Sequence, residues 1–254
     1  MLPVGSYAGV RVCFGGEVLL AASFSHIGKV RKNNEDAVLC LLQEGLFAVA
    51  DGIGGHDNGE IASAAAVAAI EKLSRTESAD DIPSKMREAF YSANDLIYKV
   101  GTGKQNGSGM GTTLTAAWID GGFIYITHVG DSRAYLINEG GISLLSEDHS
   151  LVGELVRSGK LNLAGARRHP KKNILTRSLG QAPVVELYEN KTLFSAGDYL
   201  LICSDGLYNP VAEDEMFAVV LTAPNLQAAV KSMTDRALER GGTDNISMVL
   251  VAHD

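Results

Sequence analysis

A short apolar run that ends abruptly on a carboxylate constrains this chain more than any other stretch. Leu46 to Ala50 has the length of a buried strand, and it stops at Asp51. Gly52, Gly54 and Gly55 follow within four positions, and from Ile61 the chain becomes Ala-rich and amphipathic, as a helix would be. An ionisable group at a strand end, beside backbone that glycine opens to close approach, is by itself a turn former or a helix cap. It becomes a site only when other groups gather around it. Similar acidic stretches lie far along the sequence, so the question is what brings them together.

On either side of that run the pattern predicts strands at Val18–Ser25, Ala37–Leu42, Thr112–Ile119, Phe123–Val129, Ala134–Ile137, Ile142–Leu145, Val184–Tyr188, Tyr199–Cys203 and Ile246–Val251. Helices are expected over about 59–75, from Pro83 to Val100, over 148–158, 213–221 and 226–240. The strands between Thr112 and Leu145 read as one antiparallel meander joined by glycine turns rather than as a βαβ series. Two antiparallel sheets with long helices outside them, a four-layer α-β-β-α sandwich of the α/β (α+β) class, is the simplest packing. At 254 residues, with 46% hydrophobic and 20% charged residues, the chain suits a single domain over 1–254 with a sizeable core.

The net charge of −8 argues against a nucleic-acid surface or an anionic membrane patch. The longest membrane-like segment, Thr112 to Gly130, is broken by Asp120-Gly121-Gly122 and reads as a hairpin. Cys13, Cys40 and Cys203 have neither zinc spacing nor a paired framework, and no stretch has the form of a secretory leader. Together these features predict a cytoplasmic protein with reduced thiols.

Asp36, Asp51, Asp205 and Asp244 each stand at the margin of a predicted strand, and Asp131 occupies a glycine turn. Aspartates that converge at one end of a sheet repel one another unless cations neutralise them. An oxygen-only donor set without a His/Cys cluster favours Mg²⁺ or Mn²⁺ over zinc. Two such ions about 3.5–4 Å apart can hold a water and aim it at phosphorus. Arg31 offers a planar fork suited to two phosphate oxygens. Spacing alone is equally compatible with five unconnected turn aspartates. A dinucleotide fold fits poorly: Asp57 stands where its third glycine belongs, and Asp51 would repel a pyrophosphate. No Gly-x-x-x-x-Gly-Lys-Ser/Thr stretch exists for a P-loop.

Six segments in order give the pattern its specificity: Gly28–Asp36, Asp51–His56, Gly109–Thr113, Gly130–Arg133, Ser204–Leu207 and Thr243–Asn245. This series resembles the motifs of the metal-dependent protein phosphatases of type 2C, in their bacterial form, over about 20–252. The resemblance implies a helix-flanked β-sandwich with a dinuclear Mn²⁺ or Mg²⁺ centre. It also implies hydrolysis of phosphoserine and phosphothreonine by water, without a phosphoenzyme. By motif, Asp51 would bridge the metals and the Gly52 carbonyl would ligate one of them. Asp205 and Asp244 would hold the other, with Glu35 and Asp36 acting through bound waters. Asp131 and Asp205 would form a third, weaker site, and Arg31 would take the substrate phosphate. The implied partners are phosphorylated proteins and a cognate serine/threonine kinase. The alternative on the same fold is a catalytically silent phosphoprotein-binding module, which should have lost ligand carboxylates; here all are kept.

Ile53 stands where animal members carry a proposed general-acid histidine, which makes His56 the candidate proton donor for the leaving group. His26 replaces an Asp common before Ile-Gly. The basic stretch Lys160–Lys172 falls at the family's flap and reads either as a substrate contact or as a solvated loop. His128, His149 and His169 read as structural.

Overall fold

The computed structural model describes residues 10–14, 17–54, 58–75, 81–103 and 109–254. Strand β1 (Val10–Phe14) and strand β2 (Glu17–His26) open the chain, followed by β3 (Asp36–Leu41) and β4 (Leu46–Ile53). Helices α1 (Asn58–Glu71) and α2 (Ile82–Gly103) come next. The two-residue β5 (Gly111–Thr112), β6 (Leu114–Asp120), β7 (Phe123–Val129), β8 (Arg133–Asn138) and β9 (Gly141–Leu144) follow. Then come α3 (Leu151–Arg157), α4 (Leu163–Arg168), β10 (Tyr188–Leu193) and β11 (Tyr199–Cys203). The chain closes with α5 (Asp205–Tyr208), α6 (Glu213–Thr222), α7 (Leu226–Glu239) and β12 (Ile246–His253).

Two sheets result, in the orders β1-β2-β12-β11-β8-β9 and β10-β7-β6-β4-β3, with β5 paired to β4. Every strand pairing is antiparallel. Strand alternation explains why so many runs are apolar throughout: both faces of the central strands are buried. In β4, Phe47 and Val49 point between the sheets, where they meet Ile119, Ile126, Leu200 and Val249. Leu46, Ala48 and Ala50 point the other way, onto α1 and α2 through Ala62, Ala66, Ile70, Met86 and Phe90. On the opposite side Leu201, Met248 and Leu250 pack against Met216 and Val220 of α6 and Val230 and Met233 of α7. Helix, sheet, sheet and helix are thus held by three apolar layers, the expected sandwich.

Three expectations change. The strands from Thr112 to Leu145 do not form one meander: β6 and β7 lie in one sheet and β8 and β9 in the other. The crossing occurs at Gly130–Ser132, and alternation could not reveal it because apolar faces look alike in either sheet. The strand expected at 184–188 lies instead at Tyr188–Leu193, an edge strand on β7 with alternating exposure. Val184 is 79% exposed, and the true strand is too polar to stand out in sequence. Part of the basic stretch forms α4, and α5 was not expected at all. The segment Thr112–Gly130, expected to be a hairpin, contains the β6–β7 hairpin. No helix among the described residues is long and apolar enough to cross a membrane.

Phe47 is fully buried in the layer between the sheets, and Leu193 is 62% exposed on the edge strand. Phe47→Ala should therefore lower unfolding free energy by about 3–5 kcal/mol through lost burial and a residual cavity. Leu193→Ala should stay within about 0.5 kcal/mol. Urea titration with an unchanged denaturant slope checks both.

Candidate metal centre

The sandwich brings the separated carboxylates to one end. Asp36, first residue of β3, faces Asp51 of β4 across the ladder in direct register. Asp205 begins α5 after β11, and Asp244 stands just before β12, so these two arrive from the other sheet. Asp131 arrives on the crossing between the sheets. A cleft of about 360 Å³ opens between them, lined by Arg31, Glu35, Asp51, Gly52, Asp131, Asp205 and Asp244. Asp36 is buried behind this wall rather than facing the cleft.

Hydrogen bonds between segments far apart in sequence hold these groups in place. The Ser204 hydroxyl donates to Asp36 Oδ2 at 2.8 Å and accepts the Ser247 N–H at 3.1 Å, linking the sheets behind the carboxylates. Asn245 accepts the Glu35 N–H through Oδ1 at 2.8 Å, and its Nδ2 donates to the carbonyls of Ile27 (2.9 Å) and Asn33 (3.0 Å). That one side chain therefore fixes the loop carrying Arg31 and Glu35. Thr113 Oγ1 accepts the Asp51 N–H at 2.9 Å, the Thr113 N–H donates to the Asp51 carbonyl at 2.9 Å, and Thr113 Oγ1 meets Ser132 Oγ at 2.7 Å. Asp51 and the Asp131 turn are thereby tied to one threonine. Tyr208 donates its hydroxyl to the Asp131 carbonyl at 2.9 Å.

Gly52 and Gly130 are among the positions here that admit only glycine. A Cβ on Gly52 would stand 2.3 Å from the Gly59 carbonyl oxygen and 2.5 Å from that of Glu35, so the backbone beside Asp51 is bare by necessity. Gly130 has φ +109°, and its Cβ would meet Thr113 at 2.6 Å. Both glycines stand next to a site aspartate.

Burial pushes the Asp36 carboxyl up to about 7, and Asp205 and Asp244 push the same way. Burial and the charges of Asp205 and Asp148 take Asp131 up to about 8. Burial and Asp244 take Asp205 up to about 6, against the opposing pull of Lys172 and Arg31. Asp51 is driven well above the carboxylate range by burial and then by Asp36, Asp205, Asp131 and Asp244 together. Arg31 Nη2 donates to Asp244 Oδ2 at 2.8 Å across the mouth of the cleft, which raises the guanidinium pKa further. These groups repel one another as a set, which five unconnected turn residues would not do.

His56 lies outside the described residues. His26 Nδ1 accepts the Gly28 N–H at 2.8 Å and its ring stacks near Phe24, so it supports the turn rather than touching Arg31. His128 and His149 are buried with ring centroids 5.0 Å apart, and burial lowers them to about 4 and about 3. His169 Nδ1 accepts the Lys171 N–H at 3.1 Å after α4. Sequence reasoning quoted Thr113, Ser204 and Asn245 within motifs but gave them no part in the site. Their place beside motif aspartates was the available signal.

Residues 25–240 match the family model described as protein phosphatase 2C. The chain belongs to that family. A 2C relative, the serine/threonine phosphatase Stp of Listeria monocytogenes, is 36% identical over 240 residues, covering 89% of this chain and 93% of its own. Among solved structures, the serine/threonine phosphatase of S. agalactiae superposes with a TM-score of 0.87 at 36% identity, over 93% of this chain and 100% of that one. The catalytic domain of the phosphatase PstP, in complex with two manganese ions, gives 0.85 at 34% identity over 93% and 99%. Asp244 lies just beyond the segment the family model matches, and Asp36, Asp51, Asp131 and Asp205 lie within it.

The raised carboxyl pKa values make the stability of the metal-free 2C domain pH-dependent. An unfolded aspartate titrates near 3.9, whereas Asp205, Asp36 and Asp131 titrate at about 6, 7 and 8 in the fold. Between those values the native state binds more protons than the unfolded state, so stability must fall as pH rises. In excess chelator the urea midpoint should decline from pH 5 to pH 8. The same decline should be smaller in Asp205→Asn, which removes one of the repelling charges.

Proposed function

We propose that this chain hydrolyses phosphoserine and phosphothreonine in proteins, using divalent cations held by Asp51, the Gly52 carbonyl, Asp205 and Asp244. Glu35 from the cleft wall and Asp36 from behind it act through water, and Asp131 with Asp205 offers a further, weaker position. The observation that carries this reading is the convergence of carboxylates whose desolvation and mutual repulsion outweigh the pull of Arg31 and Lys172. Asp36 Oδ1 is buried with no hydrogen-bond partner, an orphan acceptor awaiting a donor such as bound water. Among the described residues no three His, Cys, Asp or Glu side chains close into a cage around a single point. A loose, all-oxygen set fits Mn²⁺ or Mg²⁺, which retain several waters, better than ions that need a full protein shell. The manganese ions of the related PstP catalytic domain support the same choice.

Cations held by Asp51, the Gly52 carbonyl, Asp205 and Asp244 would polarise phosphoryl oxygens and lower the pKa of water. The chain's own residues position the substrate. Arg31 stands at the mouth with its side chain half exposed, and its planar fork commits one N–H to Asp244. A phosphate can then be gripped by further guanidinium donors without a change of partner at Asp244. Thr113 and Asn245 hold the Asp51 and Arg31 segments at fixed separation, so the phosphorus is oriented rather than merely attracted. Attack forms inorganic phosphate and breaks the bond to the seryl or threonyl oxygen, which must leave with a proton. His56, two residues beyond Gly54 in sequence, is our candidate donor. The domain acts as one catalytic unit in the cytoplasm, opposing a serine/threonine kinase on phosphoprotein substrates.

Phosphate release from a phosphothreonine peptide should vanish on chelation and return with Mn²⁺. Asp205→Asn should lose about a hundredfold or more of that activity; unchanged Mn²⁺-dependent turnover would remove Asp205 from the ligand set. Arg31→Ala should lower kcat/KM about tenfold to a hundredfold, with little recovery in Arg31→Lys, because only the guanidinium binds two oxygens. His56→Ala should lower kcat on phosphothreonine about a hundredfold while sparing p-nitrophenyl phosphate, whose leaving group needs no proton. Equal losses on both substrates would sink the proton-donor role.

A further inference from the structure

A second cavity, of about 300 Å³, lies beside the metal cleft and shares Asp131, Asn173 and Asp205 with it. Its walls come from β8, β9, α3 and α5 together with Ala166 of α4. Its arginines are paired, and Lys172, the remaining cation of the lining, pulls on the Asp205 carboxylate. Arg133 Nη2 meets Asp148 Oδ2 at 2.7 Å and its Nη1 meets Glu213 Oε1 at 3.4 Å, while the guanidinium lies 4.0 Å over the Tyr208 ring. Arg157 Nε lies 3.5 Å from Glu147 Oε1, and its Nη1 donates to the Asp148 carbonyl at 2.8 Å. What is left to be covered is apolar: Leu144, 44% exposed, with Val152, Val156, Ala166 and the rings of Tyr188 and Tyr208.

We propose that this cavity is a recognition subsite for a bulky apolar side chain flanking the phosphorylated residue of the substrate. The inference rests on the phosphatase reading of the adjoining cleft. Continuity supplies the first reason: a polypeptide whose phosphoryl group sits among Arg31, Asp51 and Asp205 must run on past Asn173, which borders both spaces. Charge pairing supplies the second. Arg133 and Arg157 are engaged and Lys172 stands against Asp205, so an acidic neighbour would meet five carboxylates, Asp131, Glu147, Asp148, Asp205 and Glu213, against three cations. An apolar side chain disturbs none of these pairs and removes Leu144 and Val156 from water. Size supplies the third, since a space of this volume takes one large side chain and its backbone, not a helix. The Tyr208 hydroxyl on the Asp131 carbonyl ties the wall of the subsite to the cleft, so an occupant braces the turn that carries Asp131.

The test is hydrolysis, by the Mn²⁺-loaded enzyme, of phosphothreonine peptides carrying Leu, Phe, Ala or Asp at positions on either side of the phosphoresidue. p-Nitrophenyl phosphate reports the cleft alone. Leu or Phe at one position should raise kcat/KM about tenfold over Ala, with Asp poorer than Ala. That ratio should fall toward unity in Leu144→Asp and in Val156→Asp, two changes at exposed or half-buried positions. Equal rates on all peptides, with p-nitrophenyl phosphate still hydrolysed, overturn the subsite and leave the phosphatase reading intact. A preference that survives both substitutions overturns its location. No metal-dependent hydrolysis of any substrate removes the phosphatase reading and the subsite together.

Discussion

Mutual repulsion among Asp36, Asp51, Asp131, Asp205 and Asp244 is the constraint around which the rest of the molecule is arranged. Burying one carboxylate is costly, and gathering several raises the cost of each. The sandwich supplies what opposes that repulsion. Three apolar layers hold two sheets face to face, and the strand ends that bear the aspartates cannot separate without opening the layer around Phe47, Ile202 and Val249. The ionic cost is concentrated at one end of a core that is otherwise apolar.

The hydrogen bonds that join distant segments turn this burden into a shaped site. Ser204, Thr113 and Asn245 each join segments far apart in sequence, and each is no more than 5% exposed. A buried side chain with all its partners made has one orientation, so the segments it joins share one separation. Thr113 connects the strand of Asp51 to the turn of Asp131. Asn245 connects the segment of Asp244 to the loop of Arg31 and Glu35. The resulting geometry is set by small polar groups beside the aspartates rather than by the aspartates themselves.

Neighbouring space follows from the same topology. The crossing at Gly130–Ser132 takes the chain from one sheet to the other, sets Asp131 at the cleft, and starts β8, whose Arg133 forms the floor of the second cavity. α3 and α4 stand outside the four layers and complete that cavity. Recognition and chemistry thus lie on two sides of a single turn, and the aspartate on that turn borders both.

Strand and helix content, the sandwich, and the aspartates of the cleft were legible in the sequence for a physical reason. Runs such as Leu46–Ala50 and Tyr199–Cys203 are apolar on both strand faces, and the recurrence of a carboxylate after them, in the order of the family's motifs, marked the cleft. The polar edge strand Tyr188–Leu193 had no such signature, because pairing with β7 rather than burial makes it a strand. The sheet to which β8 belongs was equally hidden, since alternation is the same in either sheet. Sequence by itself determined which residues had to be buried, and its ordered motifs marked which carboxylates gather, since hydropathy and motif order are properties of the chain alone. Tertiary structure alone decided that Asp36 sits behind the cleft, that Ser204, Thr113 and Asn245 hold it, and that a second cavity opens beside it. Those outcomes depend on contacts between segments as much as two hundred residues apart, and no local pattern encodes such contacts.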